Sequence, residues 1–365
     1  MGVLGLPAHS TLIQQRGVVP IRRLLLSVPA VVIIAALLVG SAPVEASIRK
    51  VALGVSIEHH SRERQTYLDF ASDVGGNKPR LWTLWSTWGS RGGETDCLQG
   101  KGTCYFPRAA ADWVAAEGAT PFIFWEPFKA FDSCEYATHK WIAAGRYDGY
   151  IRTWAKEAKQ YGKRVLVRYA HEINAAFFPW TTRHPLCGNT VKDFKQGWKH
   201  VVGIFRKVGA TNVRFVWTVA KKTCATKGCN PYKAFYPGDK WVDFAGFSSF
   251  NWGAQKNNWV SMENGVSGIM KKFKDFTRKP IIIAELATNT YTGSSAPPGA
   301  SKPQWIREGY PTVYKKHPQI KAIIYLNVDL SGIGHPDWSL NTPGTQSHAA
   351  YAEIASQKRF KGRIR

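Results

Sequence analysis

Two stretches of the chain bring carboxylates to the ends of apolar runs. The first is Arg164 to Trp180, Arg-Val-Leu-Val-Arg-Tyr-Ala-His-Glu-Ile-Asn-Ala-Ala-Phe-Phe-Pro-Trp. It opens with Val165 to Val167, which has the length and composition of a buried strand. Side chains alternate across a strand, so Arg168, Ala170 and Glu172 are predicted on one face, with Tyr169 and His171 on the other. Asn174, Phe177, Phe178 and Trp180 follow at once. Polar groups at the end of a buried strand must be paired or wetted, which marks the rim of an active site. The second stretch is Lys279-Pro-Ile-Ile-Ile-Ala-Glu-Leu-Ala-Thr, in which Ile281, Ile283 and Glu285 are expected to share a face.

Two facing carboxyls are the machinery of glycoside hydrolysis. One is held protonated and gives its proton to the leaving oxygen, and the other, ionised, attacks the anomeric carbon. A separation of about 5–5.5 Å gives retention, and a wider gap admits a water and inverts. Arg168, four residues before Glu172, is placed to orient or tune a carboxylate. A single glutamate at a strand end is more often half of a structural ion pair. The coincidence of two, each closing an apolar strand, favours catalysis for Glu172 and Glu285.

The elements that must position them alternate regularly. Strands are predicted at Val51–Ile57, Arg80–Trp85, Pro121–Trp125, the Arg164 stretch, Asn212–Val219, Val242–Phe247, Pro280–Ala284 and Ile320–Leu326. Helices are predicted at Arg62–Asp73, Pro107–Glu117, Tyr147–Tyr161, Val191–Lys207, Val260–Phe276, Lys302–Lys316 and Gln346–Ser356. Gly162 is expected to close the third of these. This is the pattern of a single α/β (β/α)₈ TIM barrel, in which chemistry lies at the carboxyl ends of the strands. A doubly wound sheet competes, but the chain carries neither G-x-G-x-x-G nor G-x-x-x-x-G-K.

Composition narrows the setting. The 365 residues carry a formal charge of +24, from 49 basic and 25 acidic side chains. The basic residues are spread along the chain, so the charge reads as a solvated face rather than a nucleic-acid reader. Leu24 to Gly40 is an apolar run preceded by Arg16, Arg22 and Arg23 and followed by small residues. It reads as a secretory signal ending at Ala46, with an uncleaved anchor as the alternative. Residues 1–46 are thus a signal peptide, 47–358 the barrel and 359–365 a basic tail. The protein is expected to be secreted or held in the periplasm or cell envelope, and monomeric. Six cysteines beyond the signal point to disulfides, and Cys97–Cys104, Cys224–Cys229 and Cys134–Cys187 are one pairing of fifteen.

Other chemistries fit poorly. A second histidine at position 175, needed for a zinc-protease helix, is Ala175, and there is no Gly-x-Ser-x-Gly elbow. Glu58-His59-His60 is read as substrate-contacting or packing, so no metal and no cofactor are expected.

The residues also carry a resemblance. His171-Glu172-Ile173-Asn174 followed by Phe-Phe-Pro-Trp180 looks like the acid/base motif of glycoside hydrolase family 26, usually His-Glu-Met-Asn-Gly and then aromatics. Ile-Ile-Ile-Ala-Glu285 resembles its nucleophile strand, and Gly246 to Gly253 and Asp337-Trp338-Ser-Leu look like two further landmarks. The resemblance implies a retaining hydrolase of β-linked polysaccharide, most commonly an endo-β-1,4-mannanase. Glu172 would be the acid/base and Glu285 the nucleophile. His171, Asn174 and Arg168 would shape the site, Trp180, Trp252 and Trp125 would stack sugars, and Glu126 would line the cleft. Ile173 and Ala175 depart from the motif, and Phe250 stands where the family generally has a tyrosine bonded to the nucleophile. Mixed-linkage β-glucan, β-1,3-xylan and an acidic exopolysaccharide are alternative substrates, and a barrel that binds polysaccharide without cleaving it is the alternative of another class.

Overall fold

The computed structural model describes residues 48–57, 63–89, 105–221, 232–256, 258–290, 297, 300–341 and 346–364. Eight parallel strands close in sequence order into a barrel. They are β1 (Ala52–Ser56), β2 (Leu81–Thr87), β3 (Thr120–Glu126), β4 (Val165–Tyr169), β5 (Val213–Ala220), β6 (Phe244–Asn251), β7 (Ile281–Thr288) and β8 (Ile320–Leu326). Around them run α1 (Arg64–Asp73), α2 (Arg108–Ala116), α3 (His139–Ala143), α4 (Asp148–Tyr161), α5 (Val191–Val208), α6 (Tyr232–Phe235), α7 (Met262–Lys274), α8 (Lys302–Lys316) and α9 (Ser347–Ser356). The (β/α)₈ expectation holds. Only the short α3 and α6 lack a periodicity long enough to read from sequence.

Local chemistry sets the ends of these elements. Thr190 caps α5 by accepting from the Asp193 amide, and Asp193 reaches back to the Thr190 amide, a full capping box. Gly162 ends α4 in the left-handed region, at φ 76°. The strands are buried on both faces, as a closed parallel sheet requires. One layer of side chains fills the barrel, including Leu81, Phe122, Phe124, Leu166, Ile282 and Ile324, and a larger aromatic layer fills the space between strands and helices. At the amino end Gly362 donates to the Val51 carbonyl, and Phe360 and Ile364 of the basic tail are buried.

Cys134 and Cys187 form a disulfide, with Cα atoms 5.3 Å apart. It ties the segment after β3 to the segment between β4 and α5. The four cysteines of the other two expected pairs, the Glu58-His59-His60 cluster and the apolar leader lie outside the described residues. Among the described residues, no helix is long and apolar enough to cross a membrane.

Candidate active site

The site is built around Arg168, the last inward-facing residue of β4. Its side chain is wholly buried. Its guanidinium lies 4.4 Å from the centre of the Phe124 ring. Nε donates to Thr218 Oγ1 on β5 at 3.0 Å, Nη2 to Ser248 Oγ on β6 at 2.7 Å, and Nη1 to Glu285 Oε2 on β7 at 2.7 Å. Nη2 also lies 3.7 Å from Glu172 Oε1. One planar fork therefore draws both glutamates to the same point, at the carboxyl ends of the strands.

Neither glutamate arrives by simple alternation. β4 ends at Tyr169, and Ala170 and Glu172 take left-handed backbone angles, φ 43° and 51°. The predicted division of faces past Tyr169 is thus corrected. His171 is not turned away from the barrel: its Nε2 lies 3.9 Å from Glu126 Oε1 at the inner end of β3. Left-handed angles cost non-glycine residues of order 1–3 kcal/mol each and concentrate at functional sites. Here they place Glu172 and His171 together.

Glu285 does not share a face with Ile281 and Ile283, which pack outward beneath the helices. Inward are Ile282 and Ala284. The ladder between β6 and β7 pairs Phe247 with Ile283 and then Ser248 with Glu285, leaving Ala284 as an extra residue. This bulge flips the parity of the strand and turns Glu285 into the barrel, where Ser248 Oγ lies 3.3 Å from its Oε2. The donors Arg168 and Ser248 thus reach Glu285 beside Phe250, which has no hydroxyl to offer.

The remaining expected residues divide. His171 is enclosed by aromatic rings, with Phe178 at 4.6 Å and Trp180 at 5.1 Å between centroids. Asn174 bonds the backbone of Ala220 both ways, at 2.9 and 2.8 Å, and so fastens the Glu172 segment to the end of β5. Glu126 is fully buried beneath His171. Trp252 does line the cleft, and the Lys256 ammonium sits 3.6 Å from the centre of its ring.

Trp125 and Trp180 are corrections. Both are fully buried and present no face to a sugar. Trp125 points outward from β3, stacks on Trp154 of α4 at 4.7 Å and donates to Tyr150 Oη. It is adjacent to Glu126, so strand parity forbids both from facing inward. Trp180 stacks on Phe178 at 4.5 Å, and its Nε1 donates to the His171 carbonyl at 2.8 Å. Behind it, the ring of His139 bonds the Trp180 carbonyl at 2.9 Å. Burial lowers the His139 pKa to about 4, against the raising effect of that bond, so the donating ring is neutral.

Sequence reasoning missed Thr218 and Ser248, whose small hydroxyls look unremarkable in apolar strands. It also missed Trp85, which lines the cleft beside His171. Two adjoining cavities, about 220 and 440 Å³, share Glu172, Phe250 and Trp252. Glu285 and Trp338 lie on the smaller side.

Comparison with known proteins fits this geometry. The family model "Glycosyl hydrolase family 26" matches residues 119–278. Endoglucanase H of Acetivibrio thermocellus is 32% identical over 250 residues, covering 67% of this chain. This chain belongs to glycoside hydrolase family 26. As a family 26 chain it is also 25% identical over 204 residues to Beta-1,3-xylanase TXYA of a Vibrio species, covering 52% of this chain. It spans only 25% and 40% of the lengths of those two relatives. A solved Bacillus subtilis mannanase shares the family 26 fold at a TM-score of 0.58 and 14% identity, with 87% of this chain and 88% of that one covered. The matched residues 119–278 include Glu172 but stop before β7, so Glu285 enters through its bond to Arg168.

Proposed function

We propose that the protein is a secreted, retaining endo-acting hydrolase of β-linked polysaccharide, with Glu172 as acid/base and Glu285 as nucleophile. The observation that carries this is the convergence of both carboxylates on the Arg168 guanidinium at the barrel mouth. Arg168 and Ser248 favour the ionised form of Glu285 by hydrogen bonding, as a nucleophile needs. Glu172 borders both cavities, so a chain lying across them would pass its side chain. There it gives a proton to the departing oxygen, and then takes one from the water that releases the glycosyl intermediate. His171, Glu126 and Asn174 hold the Glu172 segment in place, and Trp252 offers an aromatic edge to the sugar.

β-1,4-Mannan is the first substrate expected. Mixed-linkage β-glucan is a second reading, favoured by the likeness to Endoglucanase H and by Phe250 beside the nucleophile. The disulfide fits an oxidising, extracytoplasmic setting, as does the leader expected in residues 1–46.

The test is product analysis on a panel of β-mannan, β-glucan and β-xylan, with Glu172→Ala and Glu285→Ala beside the native protein. Oligosaccharides from one polymer, released with retained anomeric configuration and lost in both variants, are expected. Equal binding of a polymer by all three proteins without cleavage would replace the enzyme with a binding barrel.

A further inference from the structure

Basic side chains that lie scattered along the chain are gathered by the fold at one end of the barrel. Each helix that leads into a strand ends at the amino side of the sheet, opposite the mouth that holds Glu172 and Glu285. These connections run from the last four residues of such a helix to the first residue of the next strand, and residues 48–52 and 353–364 lie at the same end. Together they carry 22 lysines and arginines against 6 acidic residues. All the other described residues carry 18 against 15. The stretch Lys271 to Lys279 alone holds five of the 22. None of the 22 is buried, and among the described residues only Lys78, Lys163 and Lys316 lie within ion-pair reach of a carboxylate. Nine sit in the last turn of an α-helix, where the helix dipole favours a cation. The other thirteen lie outside any α-helix, and the dipole does not account for them. Like charges crowded on one face repel each other and cost stability, a cost that an anionic partner relieves.

The chemistry of this face narrows the partner. Among the described residues, Ile48 is the one exposed large hydrophobic side chain that belongs to it. The face therefore offers no exposed aromatic platform for bases and little apolar surface to enter a bilayer. Fifteen of the 22 are lysines, point charges on flexible stems rather than the planar forks best suited to phosphate. Charges spread so widely suit a long, mobile chain of carboxylates.

We propose that the amino end of the barrel is a docking surface for an acidic polysaccharide, whose uronate carboxylates pair with these lysines and arginines while the cleft at the opposite end stays open. The inference goes beyond the hydrolase reading, because it concerns binding far from the catalytic glutamates. Docking of this kind holds the protein within a charged glycan matrix without occupying the cleft. The attraction reaches about 10 Å at 0.1 M salt and shrinks as salt is added.

The test measures binding of the whole protein to polygalacturonate over a range of salt, beside its fully methyl-esterified form, a DNA duplex and phosphatidylglycerol vesicles. Binding at low salt that weakens steeply as salt rises, and that is lost with the ester, is expected. Lys271→Gln, Lys274→Gln and Lys315→Gln, all exposed at this end, are together expected to raise Kd about tenfold. Lys140→Gln, Lys156→Gln and Lys192→Gln, exposed elsewhere on the barrel, remove the same charge and are expected to change Kd by less than about twofold. Negligible binding, binding indifferent to salt, or an equal loss in both triple variants overturns the docking surface. Tighter binding to DNA or to vesicles than to polygalacturonate assigns the face to that partner and overturns the polysaccharide. Binding without cleavage of any β-glycan leaves the surface standing and removes the hydrolase reading, and cleavage without binding does the reverse.

Discussion

Arg168 Nη1 and Glu285 Oε2 meet at 2.7 Å across the barrel, from strands whose residues are 117 positions apart. Both groups are almost completely shielded from water, so each is the other's compensation for lost hydration. Arg168→Ala takes the guanidinium charge away from the buried Glu285 carboxylate, at an expected cost of about 3–5 kcal/mol. Arg168→Lys keeps the charge but replaces a fork by a point, losing the simultaneous bonds to Thr218, Ser248 and Glu285. A fall in kcat on the order of 10²-fold is expected, with a smaller loss of thermal stability. Steady-state kinetics and melting curves measure the two effects separately, and an unchanged kcat in the lysine variant would free Glu285 from this dependence.

The bulge that presents Glu285 depends on close backbone packing between β6 and β7. Gly246 is a point of close approach, because a methyl group there would run into the Ile282 carbonyl oxygen. Gly246→Ala must push the two strands apart beside the inserted Ala284. A destabilisation of about 1–3 kcal/mol is predicted, with a disproportionate loss of activity. Crystallography of the variant, or its kcat at matched folded fraction, would show whether Glu285 has moved. Native activity in a folded variant would refute the coupling.

Trp180 and Trp252 separate packing from binding. Trp180→Ala opens a cavity in the aromatic layer and removes a bond to the His171 carbonyl, so a loss of about 3–5 kcal/mol is predicted. Trp252 is partly exposed at the cleft, and its truncation is predicted to raise KM while moving the melting temperature little. A reversed pattern would mean the two roles are exchanged.

His139 gives the protein an acid-sensitive joint. Its Nδ1 has no hydrogen-bond partner among the described residues and faces Gly197 of α5. The pKa is lowered from 6.5 to about 4, chiefly by burial. The unfolded chain therefore binds a proton that the folded chain refuses. Stability from this group is complete above pH 6.5 and falls as the pH drops toward about 4, by up to about 3 kcal/mol. His139→Gln keeps a donor for the Trp180 carbonyl without the titration. Its melting temperature is expected to fall less than the native one between pH 7 and pH 4.5, and parallel curves would remove His139 from the account.

Much of this was legible in the chain itself. The barrel follows from apolar runs alternating with amphipathic segments, because burial on both faces and helical periodicity leave marks in the order of residues. α8 and β8 have the very bounds read from the sequence. Glu285 stood out as the first charge after such a run, Glu172 as the carboxylate closing another, and Cys134–Cys187 as part of one pairing among fifteen, because residue type alone signals charge and thiol chemistry. The directions of side chains were decided elsewhere. Glu285 faces inward only because β7 gains one residue against β6, a property of the pairing and not of either strand. Arg168 became the centre through Thr218, Ser248 and Glu285, three partners brought from three other strands by closure of the sheet. Trp125 and Trp180 carry the same ring as Trp252, and only the helix layer and loop packed over them decide which is core and which meets the cleft. Residue type and periodicity are local and survive in the sequence, whereas parity across a bulge and the exposure of a ring exist only once the barrel has closed.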